Sequence, residues 1–183
     1  MDKVITVSRE FGSGGRELGV KLAEKLDIPF YDKELISMAA DDINIAEEAF
    51  QNYDEHIVIH DPLDRQYYHA FSDIYKVPMS DQIFVAQSNV IRRLAAHGPC
   101  VIVGRCADYI LQDLNPFRLF VYADISSKIA RCREKGTDAA AMTDKELQQK
   151  IMSIDKKRAR YYQFYTEQNW GDKANYDLCI NTT

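Results

Sequence analysis

The residues best suited to chemistry stand near the start of the chain, in Ser8-Arg9-Glu10-Phe11-Gly12-Ser13-Gly14-Gly15-Arg16-Glu17. Gly12, Ser13, Gly14 and Gly15 follow a β-branched run, Lys3 to Val7, and precede a stretch where Leu18, Leu22 and Leu26 recur at helical spacing. A strand, a glycine turn and a helix in that order bring backbone N–H groups and the positive end of a helix dipole to one point. A phosphate group is bound by that combination. The same order also serves as a tight strand-to-helix turn with no ligand at all. Arginine is the second chemical feature. Arg9 and Arg16 lie early, Arg92, Arg93 and Arg105 in the middle, and Arg131, Arg133, Arg158 and Arg160 late. Basic groups dispersed in this way suit convergence on one small anion better than contact with a polymer. The net charge of −5 argues against nucleic-acid binding driven by phosphate neutralisation.

These groups need a scaffold, and the chain supplies alternating strands and helices. Pro29 to Asp32 reads as a short second strand, and Glu34 to Ala40 as a helix. Ser80 is expected to cap a helix running to about His97, which Gly98 and Pro99 end. Cys100 to Gly104 is wholly apolar, as a central parallel strand should be. Phe117 to Ala123 and Tyr176 to Asn181 read as further strands, with helices over Ile125 to Lys135 and Asp144 to Tyr162. A helical insertion spans about 33–79, with an acidic run and the aromatic-rich piece His60 to Phe71; a lid region spans about 134–157. Alternation of this kind predicts a parallel sheet covered on both faces. Ligands of such sheets bind beyond the carboxyl ends of the strands, where Gly12 to Gly15, Asp32 and Gly104-Arg105 all fall.

The 183 residues make one domain, 46% hydrophobic and 28% charged, with no repeat or flexible linker. No apolar run approaches the roughly 20 residues that span a bilayer. The chain enters a strand directly, without the segments of a signal peptide, so a cytoplasmic location is expected. It stops two residues after Asn181, before a closing helix, which reads as a shortened chain. Cys100, Cys106, Cys132 and Cys179 form no CxxC pair and read as free thiols rather than zinc ligands. No spacing among the four histidines suggests a triad or a metal site.

Ser8 to Gly19, Pro29-Phe30-Tyr31-Asp32, Val101-Ile102-Val103-Gly104-Arg105, Trp170-Gly171-Asp172 and Asn175-Tyr176-Asp177-Leu178 together resemble, in order and spacing, the cytidylate kinase-like family of nucleoside monophosphate kinases. The resemblance implies a three-layer α/β P-loop fold with a central five-stranded parallel sheet. It also implies transfer of the ATP γ-phosphoryl group to CMP or dCMP, with Mg2+.

Three departures from the orthodox P-loop, G-x-x-x-x-G-K-[ST], bear on activity. With Gly12-Ser13-Gly14 kept in register, as the resemblance to cytidylate kinases implies, Gly15 replaces the lysine and Glu17 replaces the magnesium-binding hydroxyl. A shift by one residue makes Arg16 the lysine substitute but spoils the glycine alignment. The resemblance also puts Val103 and Cys106 where the central strand's two carboxylates belong. Arg16 is the candidate substitute cation. Glu17 either ligates magnesium or simply complements the helix dipole. Asp32 either opens the acceptor site or caps the next helix, and Arg92 matches an acceptor-phosphate arginine. Arg105 follows a buried strand, so it must contact ligand phosphate or pair with a carboxylate such as Asp108. Asp108 is itself a candidate for the lost acceptor carboxylate. Arg131 and Arg133 before the lid, and Arg158 and Arg160 after it, are candidates for the nucleotide phosphates, Arg131 and Arg158 in catalytic roles. Two rival readings remain: a P-loop module that senses a nucleotide without turnover, and a kinase for another small acceptor.

Overall fold

The computed structural model describes residues 3–44, 55, 78–136 and 141–183. Strands β1 (Ile5–Arg9), β2 (Phe30–Tyr31), β3 (Val101–Val103), β4 (Phe117–Tyr122) and β5 (Leu178–Asn181) form one sheet in the order β2-β3-β1-β4-β5. Every pairing is parallel, with Thr6 of β1 in register with Ile102 on one side and Arg118 on the other. The described helices are α1 (Gly15–Leu26), α2 (Glu34–Asp42), α3 (Met79–Ala96), α4 (Ala107–Ile110), α5 (Ile125–Lys135) and α6 (Asp144–Thr166).

Strand alternation divides the core into two layers. Ile5, Val7, Val101, Val103, Leu119 and Val121 face α1 and meet Leu18, Leu22 and Leu26. Ile102 points the other way, into a larger cluster with Leu35 and Ile36 of α2, Val90 and Ile91 of α3, and Ile110. Both faces of the sheet are therefore covered, as its near-continuous apolar strands require.

Two helix ends differ from the sequence expectation. Pro78, not Ser80, is the N-cap of α3, and its carbonyl accepts from Asp81 and Gln82 at 3.0 and 3.1 Å. Its ring fixes a φ of −51°, and the side chain of Ser80 turns to Asp81. Helix α6 continues past Tyr162 to Thr166, because Tyr165 stacks on Phe84 of α3 at 3.9 Å. Its start is fixed by a capping box in which Thr143 and Glu146 satisfy each other's backbone donors. Most of the expected insertion, including His60 to Phe71, lies outside the described residues, as do residues 137–140 of the expected lid; residues 144–157 belong to α6. All four cysteines are free, Cys100 and Cys106 buried, and burial pushes the Cys100 thiol up to about 11. Among the described residues no helix is long and apolar enough to cross a membrane.

Candidate phosphate-binding site

Neighbouring strands β1 and β4 send their onward connections in opposite directions, β1 through α1 to β2 and β4 through α5 toward β5. The crevice beyond their carboxyl ends is a topological switch point. Helix α1 begins there, with Gly14 as N-cap in the left-handed region at φ 79°. No side chain could follow at position 15. A Cβ on Gly15 would lie 2.5 Å from Arg9 Cβ and 3.1 Å from Val121 Cβ. The glycine at the lysine position is thus a packing requirement. Gly15→Ala should lower stability by about 1–3 kcal/mol, the usual cost of overpacking, as a shift in urea midpoint with unchanged slope.

The turn is tied down from three sides. Lys128 of α5, buried, reaches Glu10 at 2.6 Å and Asp155 of α6 at 3.1 Å. Asp155 in turn accepts from the Phe11 amide at 2.7 Å, and Glu10 from the Ala123 amide at 3.2 Å. Burial pushes the Asp155 carboxyl up, against the pull of its donors. The Ser13 hydroxyl donates to the Glu10 carbonyl at 2.8 Å, and that of Thr182 to the Ser13 carbonyl at 2.7 Å. Arg131 bridges the Gly12 and Thr182 carbonyls.

Behind the turn lies a cluster of charges. Arg9 at the end of β1 and Arg158 of α6 both meet the Glu55 carboxylate, at 2.5 and 3.0 Å, and the Arg105 amide donates to it at 3.2 Å. Burial alone would push that carboxyl up, but Arg9, Arg158 and Arg105 outweigh it and hold the group well below the ordinary glutamate value. Arg158 also donates to the Arg9 carbonyl at 3.2 Å and lies over the Phe11 ring. The guanidinium of Arg105 is 2% exposed and donates to Asp32 at 3.3 Å. Asp32 does not cap α2. Its carboxylate takes Arg105 and, at 2.7 Å, Arg16, leaving Lys33 at the N-cap. Arg16 is half exposed and lies over the Phe30 ring at 5.6 Å, on the Asp32 side of the turn. Arg105 and Cys106 at the β3 exit hold positive φ of 54° and 55° without being glycine, a sparsely populated conformation that costs some backbone strain.

The remaining candidates stand apart from this cluster. Arg92 pairs with Asp113 at 3.0 Å on the exposed edge, and Arg93 with Asp42 at 3.0 Å. Arg133 meets Asp144 and the Met142 carbonyl, across residues 137–140, and Arg160 is exposed on α6. Asp108 is buried and accepts from the Tyr162 hydroxyl at 2.8 Å, while its other oxygen has no hydrogen-bond partner among the described residues; burial raises its carboxyl above the ordinary value. Glu17 meets Lys135 at 2.5 Å and Lys21 at 2.8 Å, and those ammonium groups lower its carboxyl to about 2. A metal at Glu17 would have to displace both. Among the described residues no three histidine, cysteine or carboxylate side chains converge to hold an ion.

Glu55, Lys128 and Asp155 are members of the site that sequence reasoning did not single out, and Arg9 and Glu10 entered it without an assigned role. Arg9 carries a signal like that of Arg105, an arginine at the end of a buried strand. Lys128 and Asp155 carry none, because a charged residue on a helix ordinarily faces water.

Fold and turn together define the class, an α/β protein of the P-loop kinase type. Within that class the chain belongs to the cytidylate kinase-like family, whose profile matches residues 4–183. Among solved structures it is similar to an uncharacterized protein from Eubacterium ventriosum at 31% identity and a TM-score of 0.69, over 98% of this chain and 87% of that one. Shikimate kinase from Bacteroides thetaiotaomicron shares the fold at 16% identity and a TM-score of 0.57, over 100% and 88% of the two chains. A gluconokinase from Sinorhizobium meliloti does so at 13% and 0.52, over 100% and 83%. No curated protein matches the chain.

Proposed function

We propose that the protein transfers the γ-phosphoryl group of ATP to a pyrimidine nucleoside monophosphate, CMP or dCMP. The observation that carries this reading is the glycine turn at the start of α1, set at the switch point with Arg131 of α5 reaching the Gly12 carbonyl and Arg158 of α6 the Arg9 carbonyl just before the turn. In phosphoryl transfer the protein mainly positions the groups and stabilises charge, and guanidinium groups over a phosphate-binding turn suit both tasks. Asp32 and Arg105, buried together at the ends of β2 and β3, form the acceptor side. Magnesium arrives with ATP, held by phosphate oxygens and water.

A second reading has an observation of its own. Arg92, the expected acceptor-phosphate arginine, is held by Asp113 on the outer edge. A site that lacks it suits an acceptor bearing a hydroxyl and a carboxylate, and kinases of that kind are among the structural neighbours. ADP release from magnesium-ATP, measured against nucleoside monophosphates, shikimate and gluconate, separates these readings. CMP or dCMP should support the fastest turnover. Turnover with a hydroxy acid alone moves the assignment to the second reading, and ATP binding without any turnover identifies a sensing module.

A further inference from the structure

An orthodox P-loop carries glycine at the first place of G-x-x-x-x-G-K and lysine at the seventh. With Gly14 at the sixth place, Arg9 stands at the first and Gly15 at the seventh. The cation and the glycine have exchanged places. The two positions touch, since a Cβ on Gly15 would fall 2.5 Å from Arg9 Cβ and 3.2 Å from its Cγ. The arginine stem therefore fills the space that a lysine stem would leave from. Its guanidinium enters from the strand side, and Gly104 makes room for it, because a Cβ there would collide with both Arg9 Nη1 and Glu55 Oε1.

What the guanidinium meets is an anion already in place. Glu55 Oε1 accepts from Arg9 Nη1 at 2.5 Å and from the Arg105 amide at 3.2 Å, and Oε2 accepts from Arg158 Nε at 3.0 Å. Three donors from β1, the β3 exit and α6 thus converge on one carboxylate whose side chain is only 12% exposed. One carboxylate offsets only one of the two guanidinium groups. A phosphoryl group, with more charge and more acceptor oxygens, would satisfy both.

We propose that Arg9 is the phosphate-binding cation of this site, acting with Arg158 and the Arg105 amide as an oxyanion site for a phosphoryl group, and that Glu55 occupies that site as an internal competitor. The inference rests on the nucleotide-phosphate reading above and adds a residue and a form of self-inhibition to it. Ligand binding must expel Glu55, so affinity is set by the carboxylate as well as by the donors.

Inorganic pyrophosphate is the probe, titrated calorimetrically into the full chain. Glu55→Gln should bind it about tenfold more tightly than wild type, because a competing state has been removed. Glu24→Gln, an exposed change of equal charge on α1, should leave the affinity unchanged. The double variant Arg9→Gln/Glu55→Gln removes both partners of the Arg9–Glu55 pair, leaves Arg158 as it is in Glu55→Gln, and should lose the gain and most of the remaining affinity. A double variant that binds like Glu55→Gln removes Arg9 from the site. Equal affinity in wild type and Glu55→Gln, including no measurable binding in either, overturns the competitor. Turnover of magnesium-ATP with pyrophosphate affinity indifferent to both positions overturns this inference alone. Arg9-dependent binding without turnover instead overturns phosphotransfer and leaves the anion site standing.

Discussion

Lys128→Met should cost about 3–5 kcal/mol of folding stability, the cost of breaking a buried ion pair by removing one partner. The ammonium group is 8% exposed and lies 2.6 Å from Glu10 and 3.1 Å from Asp155. Methionine fills the space but leaves two carboxylates facing each other across it. The loss should depend on pH in a definite direction. Burial already raises the Asp155 carboxyl above 3.8, and removing Lys128 raises it further. A carboxyl raised in the folded state binds protons more tightly there, so stability falls as pH rises through the raised value. The deficit should therefore be full at neutral pH and shrink toward pH 4, as measured by urea unfolding across that range. Adding Asp155→Asn should recover part of it at pH 7. A deficit independent of pH would mean that Lys128 acts through packing of its stem. Since Asp155 also holds the Phe11 amide, pyrophosphate affinity should fall in the same variant.

Arg105→Ala should raise the dissociation constant for CMP about a hundredfold, within the range for truncating one partner of a buried charge pair. Stability should fall less than in the lysine variant, because Asp32 keeps Arg16 at 2.7 Å when Arg105 is gone. A loss of about 1–3 kcal/mol is expected for the vacated hydrogen bonds. Calorimetric binding and thermal unfolding on this one variant separate two roles. Weakened binding in a chain that stays folded places the guanidinium against the acceptor. A large fall in melting temperature with unchanged affinity in the folded fraction makes Arg105 a structural brace of the β2 and β3 ends.

The strands and their order along the chain were legible because a parallel strand buried on both faces must read as an apolar run, as Val101 to Val103 does. The glycine turn was legible for a related reason: Gly12 to Gly15 sits between a strand and a helix pattern, and that order is local. The helix ends at Pro78 and Thr166 were not, since one depends on a proline cap and the other on stacking between Tyr165 and Phe84. The site was half legible. Arg105 announces itself by following a buried strand, but its partner is Asp32, while Asp108 serves Tyr162. Sequence spacing does not say which carboxylate a guanidinium will reach. The clamp of Glu10, Lys128 and Asp155 was invisible, because each member alone is an ordinary surface residue and only the packing of α5 and α6 on the turn brings them together.

The contact between Arg9 and Gly15 also constrains how such a turn can change. Restoring lysine at position 15 alone would drive its Cβ into the arginine stem, 2.5 Å away. Restoring glycine at position 9 alone would leave the turn with neither cation. Each single step back toward the orthodox motif is therefore harmful, and only the pair is acceptable. With Arg9 as the phosphate-binding cation, the two positions are expected to show reciprocal sign epistasis, a valley between this arrangement and lysine-bearing P-loops. Relatives should carry arginine with glycine or glycine with lysine at these two places, and the mixed combinations should be rare.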